Sequence, residues 1–297
     1  MLSILIPTYN QNVYPLVLQL LDQSRFITNT IEILVVDDFS NQKDTIAENR
    51  KIKKLQNCFY FSNSSNLGRT GTRQKLAEMA KYNWLLFLDA DVSPKYEDFL
   101  KRYVESISQK KDVIFGGIGY QHEKPEIEKM LRWKYGKKRE AKDVFERKKN
   151  PFFIISQNLL IKKNVFLTAN ATLENLYGID NFFSNQLKNM NVTMDHIDNP
   201  VIHLGLENNT IFIKKSLSSI DTTFMLEKKG LMDKDIRPIQ KSYIKLQKLL
   251  LRNTFSFFIS KMKKIMERNF NSKNPNLFWF DLYRLNYYIQ LKKTEND

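Results

Sequence analysis

Trp84-Leu85-Leu86-Phe87-Leu88-Asp89-Ala90-Asp91 is the stretch on which the fold turns. Five consecutive apolar residues are too few for a helix and read as a strand buried on both faces, as strands of a parallel sheet are. The run stops on two carboxylates one residue apart. Outward from it, 2–6, 31–36 and 113–115 are likewise short, apolar and partly β-branched, and 58–61 reads as a further strand. Between them, 13–21, 44–54, 70–81 and 96–109 carry helical patterns. Strands alternating with helices of that length predict right-handed βαβ crossovers and a mostly parallel α/β sheet. Ligands of such sheets sit at the carboxyl ends of the strands. Three strand ends here are polar or acidic, Pro7-Thr8-Tyr9-Asn10, Asp37-Asp38 and Asp89-Ala90-Asp91, which predicts one shared site.

The chain has 297 residues, 42% of them hydrophobic and 27% charged, enough for a sizeable globular core. A single cysteine, Cys58, excludes a disulfide framework and a Cys-based zinc site, and three histidines exclude a His-rich metal cage. The start, Met1-Leu2-Ser3-Ile4-Leu5-Ile6-Pro7, has no basic stretch and too short an apolar run for a signal peptide. No run reaches the ~18 apolar residues of a membrane-spanning helix. A cytoplasmic protein is expected. The net charge of +15 would fit a nucleic-acid binder, but residues 1–120 hold 15 basic against 13 acidic side chains. The excess avoids the motifs, so nucleic acid is not expected as a partner.

Farther along, 121–149 is dense in charge, with Trp133 and Tyr135 embedded. It reads as a helical insertion or a mobile loop over the site, the plainer version being a solvated helix face. Residues 152–168 turn apolar again, 181–188 have helical spacing, and 201–204 form a short strand pattern.

Asp89-Ala90-Asp91 has the spacing to hold a divalent cation through oxygen, the ligand that Mg²⁺ and Mn²⁺ favour. Asp37-Asp38-Phe39-Ser40 offers acceptors for ribose hydroxyls or a base N–H, or simply a helix cap. Asn66-Leu67-Gly68-Arg69-Thr70-Gly71-Thr72-Arg73 leads into a helix whose N-terminus and arginines favour a phosphate, or is a plain capped start. A nucleotidyltransferase would carry a Gly-rich phosphate loop after the first strand, where this chain has Pro7-Thr8-Tyr9-Asn10.

In order and spacing, Ile4-Leu5-Ile6-Pro7-Thr8-Tyr9-Asn10, Val35-Val36-Asp37-Asp38-Phe39-Ser40, Asn66-Leu67-Gly68-Arg69 and Phe87-Leu88-Asp89-Ala90-Asp91 resemble family 2 glycosyltransferases of bacterial type, over roughly residues 1–205. The resemblance implies the GT-A fold, a Rossmann-like sheet flanked by helices, and a nucleotide-sugar-dependent, usually inverting transferase. It makes Asp89 and Asp91 the metal motif for Mn²⁺ or Mg²⁺. It puts Pro7, Thr8, Tyr9 and Asp38 around the nucleoside, and Asn66, Gly68, Arg69 and Asp89 near the nucleotide. Asp37 is expected to be structural or solvating.

Tyr177-Gly178-Ile179-Asp180-Asn181 stands where the family shows a glycine followed by Glu-Asp, one carboxylate of which is the catalytic base. Asp180 is the acid present there and Asn181 departs from the pattern, with Glu174 as a substitute. His203, in His196-Ile197-Asp198-Asn199-Pro200-Val201-Ile202-His203-Leu204-Gly205, resembles the histidine that completes the metal site in some GT-A enzymes. A structural histidine is the other reading of it, and His196 and His122 are read as structural.

The implied activity is sugar transfer from a nucleotide-diphosphate sugar, UDP-linked by default, to a glycan or lipid-linked acceptor in cell-surface polysaccharide or glycolipid synthesis. The alternative is a catalytically impaired nucleotide-sugar-binding protein of the same fold. Residues 1–224 are expected to form the catalytic domain and 225–297 a basic, aromatic helical extension. In the extension Leu251, Phe255, Phe258, Ile259, Met262, Ile265 and Met266 recur at helical spacing beside Lys261, Lys263, Lys264 and Arg268. Such a helix either packs on the catalytic domain or makes peripheral contact with the anionic inner surface of a membrane.

Overall fold

Strands β1 (Leu2–Thr8) and β2 (Ile31–Asp37) are buried along almost their whole length, as uninterrupted apolar runs require. The computed structural model describes residues 1–107, 110–170 and 177–294. Its remaining strands are β3 (Cys58–Ser62), β4 (Trp84–Leu88), β5 (Val92–Pro94), β6 (Val113–Phe115), β7 (Ile118–Tyr120), β8 (Asn158–Lys162), β9 (Met194–His196) and β10 (Val201–His203). Seven of them form a sheet in the order β3-β2-β1-β4-β8-β6-β9, and β5-β10-β7 form a second, smaller one. β3, β2, β1 and β4 run parallel, with Leu2 facing both Ile31 and Trp84. β8 is antiparallel to both its neighbours, β4 and β6. The expected mostly parallel sheet is present, with this one reversed strand inside it, next to the central β4.

The helices are α1 (Tyr14–Ser24), α2 (Lys43–Arg50), α3 (Gly68–Met79), α4 (Phe99–Ser106), α5 (Met130–Tyr135), α6 (Val144–Lys148), α7 (Lys163–Ala169), α8 (Asp180–Asn189), α9 (Asn209–Lys228), α10 (Pro238–Lys248), α11 (Arg252–Phe270) and α12 (Leu277–Lys293). The chain divides into two units. One comprises Met1–Gln121, Glu140–Asn175 and Gln186–Gly205, the other His122–Arg139, Leu176–Asn185 and Leu206–Asp297. The expected boundary at 224 falls inside α9, a continuous helix that begins at Asn209.

In the first unit the core gathers Leu2, Ile4 and Ile6 of β1, Ile33 and Val35 of β2, and Leu86 and Leu88 of β4 around Phe99 and Tyr103. Burying each such side chain contributes about 1.5–3 kcal/mol. A polar junction fixes where β8 begins. The Tyr103 hydroxyl donates to Asn158 Oδ1 at 2.7 Å, and Asn158 Nδ2 donates to the carbonyls of Gly117 and Asn199 at 2.8 and 2.9 Å. Gly116 must lack a side chain here, because a Cβ would lie 2.3 Å from the Tyr103 hydroxyl.

The second unit has its own core of Leu131, Phe212, Ile259, Met266, Phe270, Leu277 and Phe280. The solvated face expected for 121–149 is therefore corrected at α5, where Met130, Leu131, Arg132 and Trp133 are all buried. Asn209 ties this helix down, accepting from the Leu131 N–H and donating to the Ile127 carbonyl, each at 2.9 Å. Deeper in the unit, the buried Glu227 accepts from the Tyr288 hydroxyl at 2.6 and 2.7 Å, from Gln240 Nε2, and from Lys292 at 2.6 Å.

The apolar face expected on α11 is split. Ile259 and Met266 are in the core and Phe255 and Met262 pack against it, whereas Leu251, Phe258 and Ile265 are exposed. Neighbouring residues lie about 100° apart around a helix, so 258 and 259 cannot share one face. Among the described residues no helix is long and apolar enough to cross a membrane.

Cys58 lies on β3 with 5% of its surface exposed, and burial pushes its thiol up to about 11. The thiolate is the reactive form, so the native protein should resist a chromogenic disulfide reagent at pH 8 and give one thiol only after denaturation. Rapid stoichiometric reaction of the folded protein would contradict this burial.

Candidate active site

The site is built where parallel strands stop. Backbone hydrogen bonds continue past the strands into the loops: the Asp38 N–H donates to the Thr8 carbonyl and the Asn63 N–H to the Asp37 carbonyl, both at 2.8 Å. Asn10, with φ 52°, turns the chain after β1, and its Oδ1 accepts from the N–H groups of Asn41 and Gln42 at 2.9 and 3.2 Å. The Thr8 hydroxyl donates to the Gln11 carbonyl at 2.9 Å. Pro7 is half-buried beside it, and Tyr9 stands half out of the surface.

The two acids after β2 have different tasks. Asp37 accepts from the Tyr60 hydroxyl at 2.6 Å and the Ser40 N–H at 2.9 Å, which is a structural role. Asp38 Oδ1 accepts from Asn63 Nδ2 and the Leu67 N–H, both at 2.8 Å, and its Oδ2 has no protein donor among the described residues. Asn66 donates to the Asp38 carbonyl at 3.1 Å and accepts from the Gly68 N–H at 3.1 Å. Gly68 has φ 70°, the left-handed conformation that suits glycine, and it opens α3. Pro7, Thr8, Asp38, Asn66 and Gly68 thus come together, from the end of β1, the residue after β2 and the start of α3.

Asp89 turns its two oxygens to two arginines of α3, accepting from Arg69 at 2.5 Å and Arg73 at 2.6 Å. Arg73 is buried and also donates to the hydroxyl of Ser156 at 2.5 Å and to its carbonyl at 2.8 Å. Its guanidinium lies 5.8 Å from the centre of the Phe87 ring. Arg73 and Ser156 complete the site in a way that strand and helix patterns do not announce, since Ser156 is an unremarkable polar residue ahead of β8.

Asp91 faces the other way, its Oδ2 3.2 Å from Nε2 of the buried His203. Burial raises the affinity of this carboxyl for a proton, but the hydrogen bond and charge of His203, with the charge of Arg69, outweigh it and hold the group below the usual carboxylate range. The Leu204 N–H donates to the Asp91 carbonyl at 2.8 Å, which joins β10 to the strand end. His203 also packs edge-on against Tyr120, and its Nδ1 is buried with no partner among the described residues. His196 is structural, as expected: Nε2 meets the Pro151 carbonyl at 2.9 Å, and burial lowers its basicity.

A carboxylate suits both Mn²⁺ and Mg²⁺, whereas an imidazole favours the borderline Mn²⁺ over the harder Mg²⁺, and either ion completes its shell with phosphate oxygens and water. The Asp91–His203 pair fits such an ion. Among the described residues no group of three or more His, Cys, Asp or Glu side chains is gathered to hold a metal alone. Asp180 lies in the second unit, half-buried in the first turn of α8. Just before it Gly178, φ 87°, sits where a Cβ would come within 2.3 Å of the Ser219 hydroxyl, and Asn181 Nδ2 donates to the Gly178 carbonyl at 3.0 Å. Glu174 lies outside the described residues.

The sequence profile of glycosyl transferase family 2 matches residues 3–168. An uncharacterized glycosyltransferase of Haemophilus influenzae is 32% identical over 92 residues, a stretch covering 31% of this chain and 29% of that protein. Among solved structures, the mannosyltransferase PcManGT from Pyrobaculum calidifontis, in complex with GDP-Man and Mn²⁺, superposes with a TM-score of 0.60 at 14% identity, over 99% of this chain and 86% of its own. Glucosyl-3-phosphoglycerate synthase from Mycobacterium tuberculosis, with Mn²⁺ and UDP, gives 0.51 at 14% identity, over 78% of this chain and 81% of its own. Mannosyl-3-phosphoglycerate synthase from Rubrobacter xylanophilus gives 0.53 at 13%, over 80% of this chain and 77% of its own. The shared fold is GT-A.

Gly205 is packed so closely on Asp91 that a Cβ would lie 2.0 Å from Oδ2. Gly205→Ala should therefore displace that carboxylate and lower stability by about 1–3 kcal/mol in denaturant titration. An unchanged midpoint would mean that Asp91 gives way without cost.

Proposed function

The chain belongs to glycosyl transferase family 2, and from that membership and the geometry of its first unit we propose that it moves a sugar from a nucleotide-diphosphate sugar to an acceptor hydroxyl, with inversion at the anomeric carbon. The observation that carries the reading is the Asp91–His203 pair at 3.2 Å, set at the carboxyl end of a parallel strand. Asp91 and His203 would hold Mn²⁺ or Mg²⁺. When bound, the ion supplies Lewis-acid stabilisation of the charge that develops on the departing diphosphate. PcManGT with GDP-Man and Mn²⁺, and the mycobacterial synthase with UDP and Mn²⁺, support a nucleotide donor and a divalent ion.

The remaining work belongs to the chain's own side chains. Pro7, Thr8 and Tyr9 flank the nucleoside, and the unpartnered Oδ2 of Asp38 accepts a hydrogen bond from it. Asn66 and Gly68 shape the turn that brings the start of α3 to the nucleotide. Asp89 holds Arg69 and Arg73 in place, so positive charge is fixed before the leaving group departs. Asp180 is the general base, taking the proton from the acceptor hydroxyl as it attacks. Its place in the first turn of a helix favours negative charge there. A UDP-sugar is the default donor, and a glycan or lipid-linked acceptor in polysaccharide or glycolipid synthesis is the default destination.

Two substitutions test this. Asp91→Ala should abolish Mn²⁺-dependent nucleotide-sugar turnover while the melting temperature stays close to that of the parent; unchanged turnover in the folded variant would remove the metal assignment. Asp180→Asn should stop transfer yet leave donor affinity by calorimetry nearly unchanged, because a base acts on the acceptor. Loss of donor binding would instead make Asp180 a donor or structural residue.

A further inference from the structure

Helix α11 has a second, outward side that its own unit leaves uncovered. Phe257, Phe258 and Ile265 are 55–59% exposed on it, and at 100° per residue Lys261, Lys264 and Arg268 share that side. The joint between α10 and α11 adds Leu249, Leu250 and Leu251, all exposed. Residues 241–268 hold eight basic side chains and one acidic. No carboxylate among the described residues pairs with Lys248, Lys261 or Lys264, and the Lys261 ammonium lies 4.3 Å over the Phe257 ring. Beside this side, Lys261 and Lys293 also line a cleft of about 540 Å³ with Asn253 and Ser260.

Leu250 adds an independent observation. The Leu250 N–H bonds the Gln247 carbonyl and the Leu251 N–H bonds the Leu246 carbonyl, the paired closure that ends a helix on a left-handed residue. Glycine ordinarily fills that position. Here it is a leucine, at φ 58° and 89% exposed. A strained backbone that holds a large apolar side chain out in water points to function, because stability alone favours glycine.

We propose that the 249–251 joint and the outward side of α11 seat this protein on an anionic lipid bilayer. The chemistry separates this occupant from a protein partner. The centre of a protein interface is depleted in lysine, whereas here Lys261, Lys264 and Arg268 share one side with Phe257, Phe258 and Ile265. A bilayer surface takes both, with Leu250, Phe257, Phe258 and Ile265 entering the acyl boundary and the lysines staying with the phosphates. This goes beyond sugar transfer and does not depend on it.

The test is co-sedimentation of the full chain with phosphatidylcholine vesicles, with and without phosphatidylglycerol. The protein should pellet only with the anionic vesicles and be released by salt. Lys261→Glu with Lys264→Glu should cut partitioning by well over tenfold, since each basic residue at an anionic surface is worth about fivefold. Phe257→Ser with Phe258→Ser should also release it. Leu250→Gly is the sharpest probe: it should raise the melting temperature by roughly 2–4 °C as strain is relieved, yet weaken vesicle binding several-fold. The proposal is overturned if the parent stays in solution, if the folded variants pellet like the parent, or if the same substitutions abolish a dimer instead. Nucleotide-sugar turnover without vesicles should be unaffected in all three variants, so failure here is distinguishable from failure of the transferase reading.

Discussion

A guanidinium ion buried at Arg73 must have its charge answered, and much of the first unit is arranged around that requirement. The carboxylate of Asp89 answers it from the end of β4, Ser156 accepts two further hydrogen bonds from it on the approach to β8, and the centre of the Phe87 ring lies 5.8 Å away. Removing one partner from such a buried group costs about 3–5 kcal/mol, because the other is left unpaired. The same contacts decide where α3 starts, where β4 ends and how the antiparallel β8 enters the sheet. They also turn Asp89 away from Asp91, so that one acidic motif serves two ends: one carboxylate organises cations of the protein, the other faces His203.

Much of this could be read in the sequence. The strands β1, β2, β3 and β4 are runs of apolar residues long enough to be distinctive, and the polar groups at their ends stand together as the topology of a parallel sheet demands. What escaped detection is short or non-local. β5, β7 and β9 have three residues each and, unlike the equally short β6 and β10, hold a serine, a glycine or an aspartate at the middle position in place of an apolar residue. The apolar run of β8 was visible, but its direction is set by pairing with β4 and β6, and no local pattern encodes a partner. Pairing of Arg73 with Ser156 joins residues far apart in the chain, and the weight of Gly205 comes from the carboxylate pressed against it. In α11 the apolar positions were legible and their division between two sides was not, because the same spacing serves a wide stripe or two narrow ones.

The second unit solves a different problem. Its helices enclose Glu227, and the ion is satisfied by Tyr288, Gln240 and Lys292 from other helices. Gln240 is itself committed twice more, accepting from the Arg237 N–H at 2.6 Å and donating to the Asp233 carbonyl at 2.8 Å. A fully satisfied buried network adds little net stability over an apolar core, but it penalises every alternative packing of α9, α10 and α12. An outward side of α11 that bears phenylalanines needs that discipline, since exposed apolar residues otherwise compete for the interior.

The pairing of Asp91 with His203 also has a consequence in time. More than a hundred residues separate the two in the chain, and they meet only when β10 has inserted between β5 and β7. Contacts of such long range repay the entropy of closing the loop late, and chains are made from the N-terminus forward. The strand that leads to Asp89 and Asp91 can therefore fold while the surroundings of these carboxylates are still half absent. His203 arrives with the last strand of the unit, so its pairing with Asp91 becomes a report that the whole unit has been completed.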